Sequence, residues 1–135
     1  MIQTKENEIC YPISSIYPFC FNIYFYDFNE KKNISSVSNV NYFCEFAAFN
    51  MITKDLLIVG GYNAISIINV NQYKLVKVIP VPYSNASNAF CKLNENMFLT
   101  GSEELRTIYQ WKIKGDNIIL IGKKNIFMII QYILL

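Results

Sequence analysis

The chain has 135 residues, a net charge of +2, 53% hydrophobic and 16% charged residues, and no histidine. That length suits about one ordinary domain, and so apolar a composition excludes a disordered chain. Without histidine there is no Ser-His-Asp triad, no Cys-His dyad and no His-containing metal site, and what charge there is forms no basic face for nucleic acid.

Residues 1–20 read as an irregular amino-terminal segment. Met1 to Glu8 carries Lys5, Glu6 and Glu8 and has no apolar leader-like run. Pro12 and Pro18 disfavour a central strand. Cys10, Cys20, Cys44 and Cys91 include no C-x-x-C pair, which excludes zinc-knuckle and thioredoxin-like motifs. Without a leader, the expectation is buried, reduced thiols in a cytoplasmic or other intracellular protein.

From residue 21 onward the chain repeats itself. Ile23 to Phe28, Ile65 to Val70 and Ile108 to Ile113 share one pattern: Ile, two residues, a large apolar residue, a polar residue, an apolar residue. The spacings are 42 and 43 residues. Each segment is followed by a polar turn and another apolar run. Leu56 to Gly61 likewise matches Met97 to Ser102 at 41 residues. The same spacing would put a glycine near position 18, where Tyr17-Pro18 stands. The runs are short, rich in Ile and Val, and bounded by Asn, Gly, Ser and Pro, which predicts strands. Four strands fall in one unit at approximately 45–51, 56–60, 64–70 and 74–79, and in the next at 86–93, 97–101, 107–113 and 117–121. The units run over about 21–40 (partial), 41–82 and 83–122. Residues 123–135 form an apolar tail, expected to begin the first strand of a further unit. At ten residues, Ile126 to Leu135 is too short for a membrane-spanning helix, which needs about twenty.

Four strands every 40 to 45 residues is the dimension of a propeller blade. The glycine-ended second strand, followed by Trp111-Lys112, Ile68-Asn69 and Tyr26-Asp27 where a Trp-Asp dipeptide would stand, resembles the WD-repeat β-propeller family. The family's Gly-His dipeptide is absent, so the hydrogen-bonded tetrad built around that histidine cannot form here in its usual composition. The fold class implied is all-β: four-stranded antiparallel blades of an incomplete propeller.

The resemblance implies a protein–protein interaction scaffold, a fragment of a larger propeller, and not an enzyme. It places partner contacts on the turn between a blade's second and third strands and on the connection entering the next blade. Those positions hold Tyr62, Asn63, Glu103, Glu104 and Arg106 on the turns and Tyr83 on the connection. Arg and Tyr are common interface anchors. Glu103-Glu104, adjacent on one turn, diverge and make no glycosidase-like carboxylate pair. No catalytic, cofactor or metal residue is expected. The expected partners are other proteins, with self-association through exposed blade faces and no nucleic acid. The alternatives are a truncated or membrane-peripheral protein using the apolar tail, or a small-molecule-binding or enzymatic β domain.

Overall fold

The structure is a computed structural model described over residues 1–15, 20–38, 40, 49–61, 64–81, 89–102, 106–115 and 117–125. Twelve strands and no helix are found among these residues. The first sheet contains β1 (Ile2–Lys5), β2 (Glu8–Ser15), β3 (Cys20–Asp27) and β4 (Lys32–Val37). The second contains β5 (Phe49–Met51), β6 (Leu56–Gly61), β7 (Ala64–Asn69) and β8 (Lys74–Pro80). The third contains β9 (Ala89–Asn94), β10 (Met97–Ser102), β11 (Thr107–Lys114) and β12 (Asn117–Asn125). Each sheet is antiparallel with its strands in chain order, a meander joined by short hairpins.

The hairpin between third and fourth strands is built the same way twice, from local side-chain chemistry. The Asp27 carboxylate accepts the backbone N–H groups of Asn29 (2.8 Å) and Glu30 (2.9 Å). The Asn69 side-chain oxygen accepts those of Asn71 (2.9 Å) and Gln72 (3.0 Å). These Asx turns are what short oxygen-bearing side chains form most readily. Each closes through a left-handed residue, Lys31 (φ 52°) and Tyr73 (φ 51°). In the third sheet the hairpin is shorter and Gly115 (φ 60°) supplies the left-handed step. A β-bulge recurs beside all three hairpins, between Phe25 and Tyr26, Ile67 and Ile68, and Gln110 and Trp111. It leaves Ile34, Val76 and Ile121 unpaired and exposed on the outer strands. In the first two sheets Tyr26-Asp27 and Ile68-Asn69, at the Trp-Asp position, therefore end the third strand at its hairpin, whereas in the third sheet β11 runs two residues past Trp111-Lys112.

The sheets pack face to face. One apolar cluster joins the first and second sheets through Cys10, Ile23, Phe25 and Val37 on one side and Leu57, Val59, Ile68 and Val70 on the other. A second joins the second and third through Ile58, Ile65 and Ile67 against Phe98, Tyr109, Trp111 and Ile118. Side chains alternate faces along a strand, so β6 and β7 feed both clusters and read as nearly continuous apolar runs. The middle sheet is thus buried on both sides.

Two expectations need correction. Residues 1–20 were expected to be irregular, yet residues 2–15 carry β1 and β2 and complete the first sheet. Cys10 faces Phe25 as Ile58 faces Ile67, at a spacing of 48 residues instead of 41 or 42. The glycine position of β6, Gly60, is therefore matched by Pro12 and not by residue 18. Pro12 is tolerated because β1 pairs with β2 only up to Cys10 and needs no N–H beyond it. Second, Lys123 and Lys124 do not open a tail: β12 continues to Asn125, pairing them with Tyr109 and Ile108. The strand expected from Ile126 onward lies outside the described residues, as do residues 45–48 and 86–88 of the two expected first strands.

Candidate interaction surface

The turns expected to bind partners join β6 to β7 and β10 to β11, at the end of each sheet opposite the Asx hairpins. Tyr62, Asn63, Tyr83, Glu103 and Glu104 lie outside the described residues. Arg106 is described: it is exposed, immediately precedes β11 and has a left-handed backbone (φ 48°). A non-glycine residue held there is uncommon, so the turn fixes the point from which the guanidinium leaves the sheet.

A polar cluster that sequence reasoning missed bridges the first two sheets. Glu8, with a side chain 4% exposed, starts β2 and faces the second sheet. Its Oε1 accepts from the Thr4 hydroxyl (2.5 Å), and its Oε2 accepts from the Tyr73 hydroxyl (2.6 Å) and the Lys5 ammonium (3.2 Å). Lys5 also donates to the Tyr73 oxygen (2.9 Å) and lies 4.7 Å from the Tyr73 ring centre. The Tyr73 ring meets Phe25 edge-on at 4.8 Å. Burial opposes the charge on Lys5, but its bonds to Tyr73 and Glu8 outweigh this and hold its pKa above the usual value. Burial, then the bond to the Glu8 carboxylate, raises the Tyr73 phenol. A buried carboxylate survives only when paired and hydrogen-bonded, and this one is. The cluster acts as a brace: it holds Tyr73 in its unfavourable backbone conformation and locks the second sheet's hairpin onto the first sheet. Its sequence signal was weak, because Lys5, Glu6 and Glu8 together look like a solvated end.

The second junction has its own polar contacts. Trp111, 2% exposed, donates from Nε1 to the buried Thr100 hydroxyl at 2.8 Å and stacks on Phe98 at 6.2 Å. The indole packs between the second and third sheets and offers no face to a ligand. Lys77 on β8 donates to the Asn117 side chain on β12 at 2.8 Å. Nearer the first sheet, the buried Ser66 hydroxyl donates to the Val40 carbonyl and fixes the connection between the first two sheets.

Of the thiols, Cys10 is buried, and burial raises its pKa to about 12. Cys91 is exposed, which corrects the expectation that it would be buried; it lies on the side of β9 facing away from the second sheet. Cys20 and Cys44 fall where no side chain is described. Among the described residues no group of His, Cys, Asp or Glu could hold a metal ion, and no helix is long and apolar enough to cross a membrane.

No protein-family model matches the chain, and no curated protein matches its sequence. Solved structures do. A chain in the crystal structure of the mitotic checkpoint complex superposes with a TM-score of 0.56 at 13% identity, covering 76% of this chain and 32% of its own. Hsv2 of Kluyvelomyces marxianus gives a TM-score of 0.45 at 16% identity, covering 74% of this chain and 29% of its own. The chain thus spans about a third of the solved chains it resembles. At these identities the likeness is one of fold: the three sheets are blades of a β-propeller.

Proposed function

We propose that the chain is an intracellular protein–protein interaction scaffold of the WD-repeat kind, binding other proteins through the rim of its blades and catalysing no reaction. The observation that carries this is the contrast between the two ends of the sheets. The outer hairpins repeat with the same Asx bonds and the same left-handed step in the first two blades. In those same two blades the turns at the other end differ, with four residues between β2 and β3 and two between β6 and β7, and the four between β10 and β11 have another sequence again. A hairpin repeated between two blades at one end, with turns that differ at the other, is how a rigid scaffold presents a binding surface. The similar chain in the mitotic checkpoint complex is likewise part of a protein assembly. Tyr62, Asn63, Glu103, Glu104 and Arg106 on these turns, with Tyr83 on the connection between blades, are the proposed contacts.

An affinity pull-down comparing the wild type with a Tyr62→Ala/Arg106→Ala double variant tests the assignment. Specific partners should be lost while thermal stability is unchanged. An identical partner set would remove the rim from consideration.

A further inference from the structure

The repeat register shows what each blade presents to its neighbour. Toward the following sheet, the first uses Glu8, Cys10, Ile23 and Phe25, and the second uses the equivalent Leu56, Ile58, Ile65 and Ile67, all buried. The same positions of the third sheet are Met97, Leu99, Ile108 and Gln110, which are only half-buried. Toward the preceding sheet, the second uses Leu57, Val59, Ser66, Ile68 and Val70, all buried, and the third Phe98, Thr100, Tyr109, Trp111 and Ile113. The same positions of the first sheet are Ile9, Tyr11, Tyr24, Tyr26 and Phe28, of which Phe28 is 53% exposed. Among the described residues, the two ends therefore carry the two unmatched halves of one junction.

We infer that the third sheet of one copy packs against the first sheet of a second copy, continuing the blade stack head to tail. The face around Leu99 and Met97 takes the place that Ile58 and Leu56 occupy in the internal junction. The aromatic face of Tyr11, Tyr24 and Tyr26 takes the place of Val59, Ser66 and Ile68. Tyr11 and Tyr24 are already stacked at 5.8 Å, and the Tyr11 hydroxyl donates to Asn33 at 2.8 Å, so this face is organised before it meets a partner. On the other face the Gln110 amide is held against the Met97 sulfur at 3.7 Å, presenting one polar group amid apolar ones. The three described sheets of each of two copies make six, within the four to eight blades with which propellers close. Closing the ring pairs each end face once and covers both, as a two-fold dimer requires. The inference goes beyond the rim reading and does not use the rim residues.

The test is complementation between variants, read as mass in solution by light scattering after size exclusion. The wild type should run at twice 15.7 kDa at micromolar concentration. Tyr24→Lys and Leu99→Lys should each be monomeric with unchanged strand content by circular dichroism. Mixed in equal amounts they should recover a dimer, because the mixture retains one intact pair of faces. Tyr11→Lys with Ile119→Lys, on the same two faces, repeats the test if either first variant fails to fold. Three results would overturn the inference: a monomeric wild type, leaving the faces to sheets of another polypeptide; a dimeric Tyr24→Lys beside a monomeric Leu99→Lys, meaning like faces pair; or a mixture that stays monomeric.

Discussion

Trp111 and Thr100 show how a single hydrogen bond sits inside an apolar junction. Thr100→Val keeps the shape of the side chain and removes the acceptor, stranding a buried indole N–H. The expected cost is about 1–3 kcal/mol by urea denaturation, the price of an unsatisfied buried donor. Trp111→Ala should cost about 3–5 kcal/mol, because it opens a large cavity between two sheets. Equal losses in the two variants would show that the bond, and not the ring, dominates. For the brace between the first two sheets, Tyr73→Phe removes the hydroxyl that both Glu8 and Lys5 use. It should cost about 1.5–3 kcal/mol, as for bonds to charged groups. In a double-mutant cycle with Glu8→Gln the two losses should fall short of adding, since the residues share one interaction. Strict additivity would contradict the geometry. Cys10 adds a dependence on pH. Its folded pKa is raised from 9.0 to about 12, so the neutral thiol is the favoured buried form. Its contribution is therefore complete below pH 9 and lost as pH climbs toward 12. Melting temperature should fall over that window, and Cys10→Ala, though less stable at neutral pH, should show a shallower fall. Parallel curves would place the alkaline sensitivity elsewhere, for example on Tyr73, whose pKa is also raised.

At the level of the element, legibility in the sequence followed the regularity of the turns. The strands of the second and third sheets could be read because their hairpins are short and nearly equal in length, keeping Leu56 and Met97, or Ile67 and Gln110, in step. β1 and β2 could not, because β2 and β3 each run two residues further before their turn than β6 and β7 do, which shifts the register, and because the buried Glu8 carries a charge that marks it as surface. Such a residue becomes intelligible only with its partners, and Tyr73 is 65 residues away. The rim turns were legible as positions and no further, since a loop's sequence does not fix the direction of its side chains. The bulges were invisible for a different reason: Ile34, Val76 and Ile121 are apolar like their neighbours, yet stand unpaired on the outer strands. Val76→Thr, at an exposed bulge, should change stability by no more than about 0.5 kcal/mol. A loss near that of a core truncation would mean that this bulge is packed.

For the whole molecule, the decisive feature is the sandwiching of one sheet between two others. It explains why β6 and β7 are apolar on both faces, whereas β2 and β10 have buried residues on one face only. Protection from hydrogen exchange should follow the same order, because opening the middle sheet requires breaking both junctions. Amide exchange resolved by residue is therefore the most direct measurement of the three-blade stack. The amides of Leu57 to Val59 and Ile65 to Ile68 should exchange slowest in the molecule, with β1 and β12 orders of magnitude faster. If β6 and β7 exchange as fast as β1 and β12, the second sheet is not enclosed between the other two, and the stacked-blade architecture is wrong.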